Sequence, residues 1–169
     1  TAVALCLLWA GELVRAGRPV NPGFRFDPET HVPASAAECL YLAKHLDPGN
    51  LELDRRLDAL FAGLKGCEFV RLGHLSTLSL HDRENWRLGL TLGLTNLKVF
   101  RMEQGVEEIV LAQRQARAQG REAAFRRALD GMDPKGYVRA TLDAMDQAEA
   151  AASAPLAPPV PGDDHDAIG

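Results

Sequence analysis

From Glu84 to Gln119 the chain reads ENWRLGLTLGLTNLKVFRMEQGVEEIVLAQRQARAQ, within its longest proline-free run. Trp86, Leu90, Leu94 and Leu97, then Val106, Ile109 and Val110, recur at intervals of three and four, which lines one side of a helix. Trp86, Leu88, Leu90, Leu92 and Leu94 also alternate with Arg, Gly and Thr, the two-residue period of a strand. Leucine-rich composition, few β-branched residues and the helical continuation decide for helix. The stretch therefore predicts one long helix, or two abutting ones, with shorter helices packed around it. Gly89 and Gly93 lie four apart and would form a smooth strip for close approach by a neighbouring backbone, at about 1 kcal/mol of helix propensity each.

The other elements follow from punctuation. An apolar helix is expected from Ala2 to Ala16, ended by Gly17, and is too short to span a bilayer. The four prolines between Arg18 and Pro33 make a loop, with Phe24 and Phe26 as core anchors. Ser35 with Glu38 is a capping box opening a helix to His45 or Leu46, stopped by Asp47-Pro48-Gly49-Asn50. Leu53, Leu57, Leu60, Phe61 and Leu64 give a helix from Leu51 to Lys65, with Gly66 as its stop. Cys67 to Leu80 reads as a helix or distorted turns, because Gly73 and Ser76-Thr77 argue against continuity. Ser79 or Asp82 is the expected cap of the central element. Short helices follow at Arg121–Leu129 and about Pro134–Ala151. AAECLYLAKHLDPGN and AAFRRALDGMDPKG share a helix ending in Asp-Pro, read as helical-hairpin punctuation rather than a repeat array. The expectation is an all-α bundle of five or six helices over residues 1–152. A Pro- and Asp-rich disordered acidic tail covers 153–169.

Charge is laid out unevenly along a chain of net charge −4. Residues 1–83 are near balance, residues 84–140 carry ten bases against seven acids, and residues 141–169 carry six acids and no base. Three cysteines at irregular spacing, without CxxC, together with the lack of a signal-peptide pattern, fit a reducing cytoplasmic compartment and free buried thiols.

Candidate chemistry is sparse. Cys67, His74 and His81 are spaced by seven residues and would share a helical face, but about 10 Å apart they do not meet at one metal ion. Glu103, Glu107 and Glu108 read as a solvated stripe paired to Arg101 and Arg114. The nucleotide, hydrolase and metalloprotease motifs are absent. No catalytic, cofactor-binding or metal residue is assigned, and an enzyme ranks below a binding protein. The strongest feature is basic: Arg114, Arg117, Arg121, Arg126 and Arg127 stand against one acid, Glu122, between Leu111 and Arg127. They form a candidate face for an anionic partner. Asp163, Asp164 and Asp166 of the tail would compete weakly for it.

The sequence thus predicts a non-enzymatic helical interaction module, an adaptor or accessory or regulatory subunit, whose partner is another protein. A nucleic-acid-binding regulator using the arginine face is the alternative, and a metal protein or enzyme is third. No membrane association is expected, and a homo-oligomer stays open.

Overall fold

The computed structural model describes residues 1–20 and 32–153. Phe24, Phe26 and residues 154–169, which hold almost all of the expected tail, lie outside them. Among the described residues every regular element is helical, in eight segments: α1 (Ala2–Arg15), α2 (Ala36–Leu46), α3 (Leu51–Ala62), α4 (Glu68–His81), α5 (Trp86–Lys98), α6 (Met102–Ala118), α7 (Glu122–Met132) and α8 (Tyr137–Ala152). The all-α expectation holds. The helix count of five or six does not, because the stretch expected as one long helix or two abutting ones is two helices folded back on each other, and Glu68–His81 is a full helix. None is long and apolar enough to cross a membrane.

The residues Thr1–Met132 form one unit, in which each helix packs chiefly on its neighbours in sequence. α1 ends in a left-handed Gly17 (φ 70°), whose N–H donates to Val14 O while the Arg18 N–H donates to Leu13 O at 2.8 Å. The chain then returns along α2, whose Ala36 and Ala37 amides donate to the Arg18 and Pro19 carbonyls. Ser35 caps α2 as expected, its side chain accepting from the Glu38 N–H while the Glu38 carboxylate accepts from the Ser35 N–H at 3.0 Å. Cys6, Ala10 and Leu13 of α1, Cys39, Leu40 and Ala43 of α2, and Leu53, Leu57 and Phe61 of α3 bury one another.

Gly73 and Ser76-Thr77 do not interrupt α4. The Thr77 hydroxyl donates to the Gly73 carbonyl at 3.0 Å, so the polar side chain is satisfied inside the helix it was expected to break. Neither Ser79 nor Asp82 caps α5. Asn85 does, accepting from the Leu88 N–H, while Asp82 ends α4 and accepts from Asn85 Nδ2 at 2.9 Å.

Between α5 and α6 the chain reverses over Val99–Arg101, with Phe100 in the left-handed region (φ 63°). The two helices cross on glycine. A Cβ at Gly93 would lie 2.5 Å from Ile109 Cγ1 and 2.8 Å from the Gly105 carbonyl oxygen, and one at Gly89 would lie 3.2 Å from Ala112 Cβ. The four-residue glycine spacing is thus the seam of an antiparallel hairpin. α7 adds Phe125 and Leu129, with the Phe125 ring edge-on to Trp86 at 5.9 Å.

The unit beginning at Asp133 contains α8. Its lead-in turn is closed by Asp133, whose carboxylate accepts from the Val138 N–H at 2.7 Å, and by left-handed Gly136.

Candidate functional site

α1 is apolar on two sides, and only one of them is used by the core. Cys6, Ala10 and Leu13 face α2, while Leu5, Leu8 and Trp9 remain 69%, 69% and 46% exposed. Together with Leu42 and Leu46 of α2 they line a groove of about 620 Å³, in which Glu12 is the one charged residue among the described lining. Burial keeps the Cys6 thiol above its ordinary value and pushes the neighbouring Cys39 thiol up to about 11, so both stay protonated. The signal for the groove was present in the sequence: Leu5, Leu8 and Glu12 or Trp9 step by three and four beside the core row.

The second arrangement is buried and polar, and the sequence hid it. Asp54 of α3 is 1% exposed. One carboxylate oxygen accepts from Lys44 Nζ of α2 at 2.6 Å, the other bonds His74 Nδ1 of α4 at 2.9 Å, and His74 Nε2 meets the Tyr41 hydroxyl at 3.0 Å. Phe61 stacks on the imidazole, centroids 6.2 Å apart and planes within 6°. The Tyr41 phenol is pushed up to about 12, first by burial, then by the charge on Asp54 and by Cys67. The Tyr41 hydroxyl and Nε2 thus share one hydrogen bond while Nδ1 shares the other with Asp54, so both ring nitrogens of His74 are engaged. Every nitrogen and carboxylate oxygen of the set therefore has a partner inside the protein. The arrangement ties three helices together, alongside the Arg71–Asp58 pair at 2.8 Å.

Of the set Cys67, His74 and His81, only His74 enters this network. Cys67 precedes α4, and His81 is exposed at its other end, donating to the Thr77 carbonyl. Among the described residues no group of three or more His, Cys, Asp or Glu could hold a metal ion.

The arginines are placed unequally. Arg114 and Arg117 lie on α6, which ends at Ala118, and Arg121 follows left-handed Gly120. Arg117 and Arg126 both pair with Glu122, at 3.1 and 3.4 Å, and Arg127 Nε donates to the Ala123 carbonyl. The expected pairing of Glu103 and Glu107 with Arg101 and Arg114 does not form among the described residues. Arg101 lies instead over the Phe69 ring at 5.7 Å. The Glu108 carboxyl is raised by desolvation and by the charge of Glu107.

Compared with protein-family models, with curated proteins and with solved structures, the chain matches none.

Proposed function

We propose that the chain is a non-enzymatic interaction module that docks an amphipathic helix of another protein in the groove between α1 and α2. The observation that carries this reading is the exposure of Leu5, Leu8 and Trp9 at helical spacing over a groove with almost no polar lining. Apolar side chains held in water on a helix already packed along its other side cost stability unless something covers them, and grouped patches of this kind mark interaction sites. Two side-by-side helices with apolar rows accept a third as ridge into groove, read by the partner as apolar anchors at i, i+3, i+4 and i+7.

Charge favours a different protein over a second copy. Glu12 gives the groove one negative end, and its own Arg15 is an exposed i, i+3 partner that holds it weakly. A partner helix with Lys or Arg after its apolar anchors satisfies Glu12. A second α1 in the antiparallel, two-fold arrangement offers Glu12 a first turn without Lys or Arg, and so no charged side chain to pair with.

Trp9 reports directly on the groove, since the other tryptophan, Trp86, is buried at 6% exposure. Titration with a synthetic amphipathic helix bearing leucine anchors and a terminal lysine pair is expected to shift Trp9 emission to the blue. Leu5→Glu with Leu8→Glu is expected to abolish the shift with helix content unchanged. A blue shift that grows with protein concentration alone assigns the groove to a second copy and overturns the proposal. So does a shift given by lipid vesicles and not by the peptide, or no response at all.

A further inference from the structure

We infer a second docking site, between α5 and α7, for a short acidic segment of a partner protein that carries an apolar side chain between its carboxylates. A hollow of about 480 Å³ lies there, floored by Thr91, Ala124, Ala128 and Met132 and flanked by Arg87 and Arg127. Ion pairing distinguishes these two arginines from Arg117 and Arg126 beside them. Arg117 and Arg126 share Glu122, whereas neither Arg87 nor Arg127 forms an ion pair with a carboxylate among the described residues.

Both are nevertheless held in place. The Arg87 guanidinium lies 5.1 Å from the Trp86 ring centroid, and Arg127 Nε donates to the Ala123 carbonyl at 3.3 Å. Each contact anchors the guanidinium while leaving its terminal nitrogens for a carboxylate, which a planar fork takes with two parallel hydrogen bonds. Between them the small side chains of Ala124 and Ala128 open space for an apolar group, and Met132, 45% exposed, is adaptable enough to close over it. Charge complementarity at two points with an apolar floor between describes an acidic, amphipathic peptide.

A nucleic acid fits less well. Strand binding without base pairing uses open aromatic faces, and the aromatics of this region, Trp86 and Phe125, are 6% and 1% exposed. The chain's net charge of −4 also opposes a long polyanion. The site is independent of the α1–α2 groove, with α3 and α4 between them in the helix order. Two docking sites of different chemistry on one chain are what an adaptor requires.

The test uses fluorescence anisotropy on the full chain with a labelled peptide in which glutamates flank a central leucine. Comparators are the peptide with glutamine for glutamate, the peptide with serine for leucine, and a labelled single-stranded oligonucleotide. Arg87→Glu and Arg127→Glu, both at exposed positions, are each expected to weaken the acidic peptide by about tenfold or more. Leu5→Glu with Leu8→Glu is expected to leave it unchanged, which separates this site from the first. Circular dichroism checks that each variant keeps its helix. The inference is overturned if the wild type does not bind the acidic peptide or if the arginine reversals bind it as the wild type does. It is equally overturned if either substituted peptide binds as well, or if the oligonucleotide binds more tightly.

Discussion

Asp54 on α3 and His74 on α4 meet at 2.9 Å in a place where Asp54 is 1% exposed, and Lys44 of α2 takes the other carboxylate oxygen at 2.6 Å. A buried carboxylate is tolerable only when its lone pairs are filled, so the stability of this unit depends on keeping both partners. Replacing His74 by Ala removes two hydrogen bonds and the stacked face of Phe61, and leaves a cavity. The expected loss is about 3 kcal/mol. Lys44→Met, at a side chain one-quarter exposed, is expected to cost about 2 kcal/mol. Urea unfolding with an unchanged slope measures both, and a loss under 1 kcal/mol for His74→Ala would mean the network contributes little.

Tyr41 makes the same network sensitive to alkali. Its phenol is raised from 10.0 to about 12, so above pH 10 the folded state retains a proton that the unfolded state releases. This stability is fully present below pH 10 and drains away as pH rises towards 12. Cys39, raised from 9.0 to about 11, adds a loss of the same sign starting from pH 9. Tyr41→Phe is expected to be less stable at pH 7, because His74 Nε2 loses its hydrogen-bond partner, and to fall less steeply between pH 10 and 11. Parallel slopes for the two proteins would contradict the burial of the phenol.

The helix content and most helix ends were legible because they depend on local chemistry: the Ser35–Glu38 box, the glycine after α1 and the Asp-Pro turn all act within a few residues. The Asp54–His74 contact was not legible, since the two residues lie twenty apart on different helices. Its trace was an acid beside Leu57 and Phe61, on the apolar side of α3. The α1–α2 groove was half legible. A helix apolar on two sides is indistinguishable by periodicity from a buried core helix, and only packing reveals that one side stays open. The split of the Glu84–Gln119 stretch turned on Phe100, a residue type that rarely adopts the conformation it has here.

The glycines of α4 and α5 should respond in opposite directions to the same change. At Gly93 an added methyl meets Ile109 Cγ1 at 2.5 Å and the Gly105 carbonyl at 2.8 Å, both in packed positions, so Gly93→Ala must spread the α5–α6 hairpin. The expected cost is about 2–3 kcal/mol. Nothing lies within 4 Å of a Cβ at Gly73, inside α4, so Gly73→Ala is expected to stabilise by about 0.5–1 kcal/mol. Thermal unfolding of both variants checks the sign. Equal behaviour would remove the case for the glycine seam.

Phe100 occupies the position after a helix where glycine is preferred, and the geometry around it is the same as at Gly17 and Gly120. In each, the left-handed residue donates its N–H to the carbonyl three back, and the next residue donates to the carbonyl five back: Phe100 to Leu97 at 3.1 Å and Arg101 to Asn96 at 3.0 Å. A side chain in this conformation costs about 1–2 kcal/mol through contact of its Cβ with the following carbonyl. Phe100 recovers none of it by burial, being 87% exposed. Glycine removes the clash but enlarges the unfolded ensemble, returning about 0.4–1 kcal/mol. The balance predicts that Phe100→Gly stabilises by about 0.5–1 kcal/mol, whereas Gly120→Ala, where open space surrounds the new Cβ but φ is 65°, destabilises by about 1 kcal/mol. Urea midpoints of the two variants against the wild type decide it. If Phe100→Gly proves less stable than the wild type, the ring makes contacts in solution that outweigh its strained backbone, and the exposed tip of the α5–α6 hairpin is a packed part of the fold.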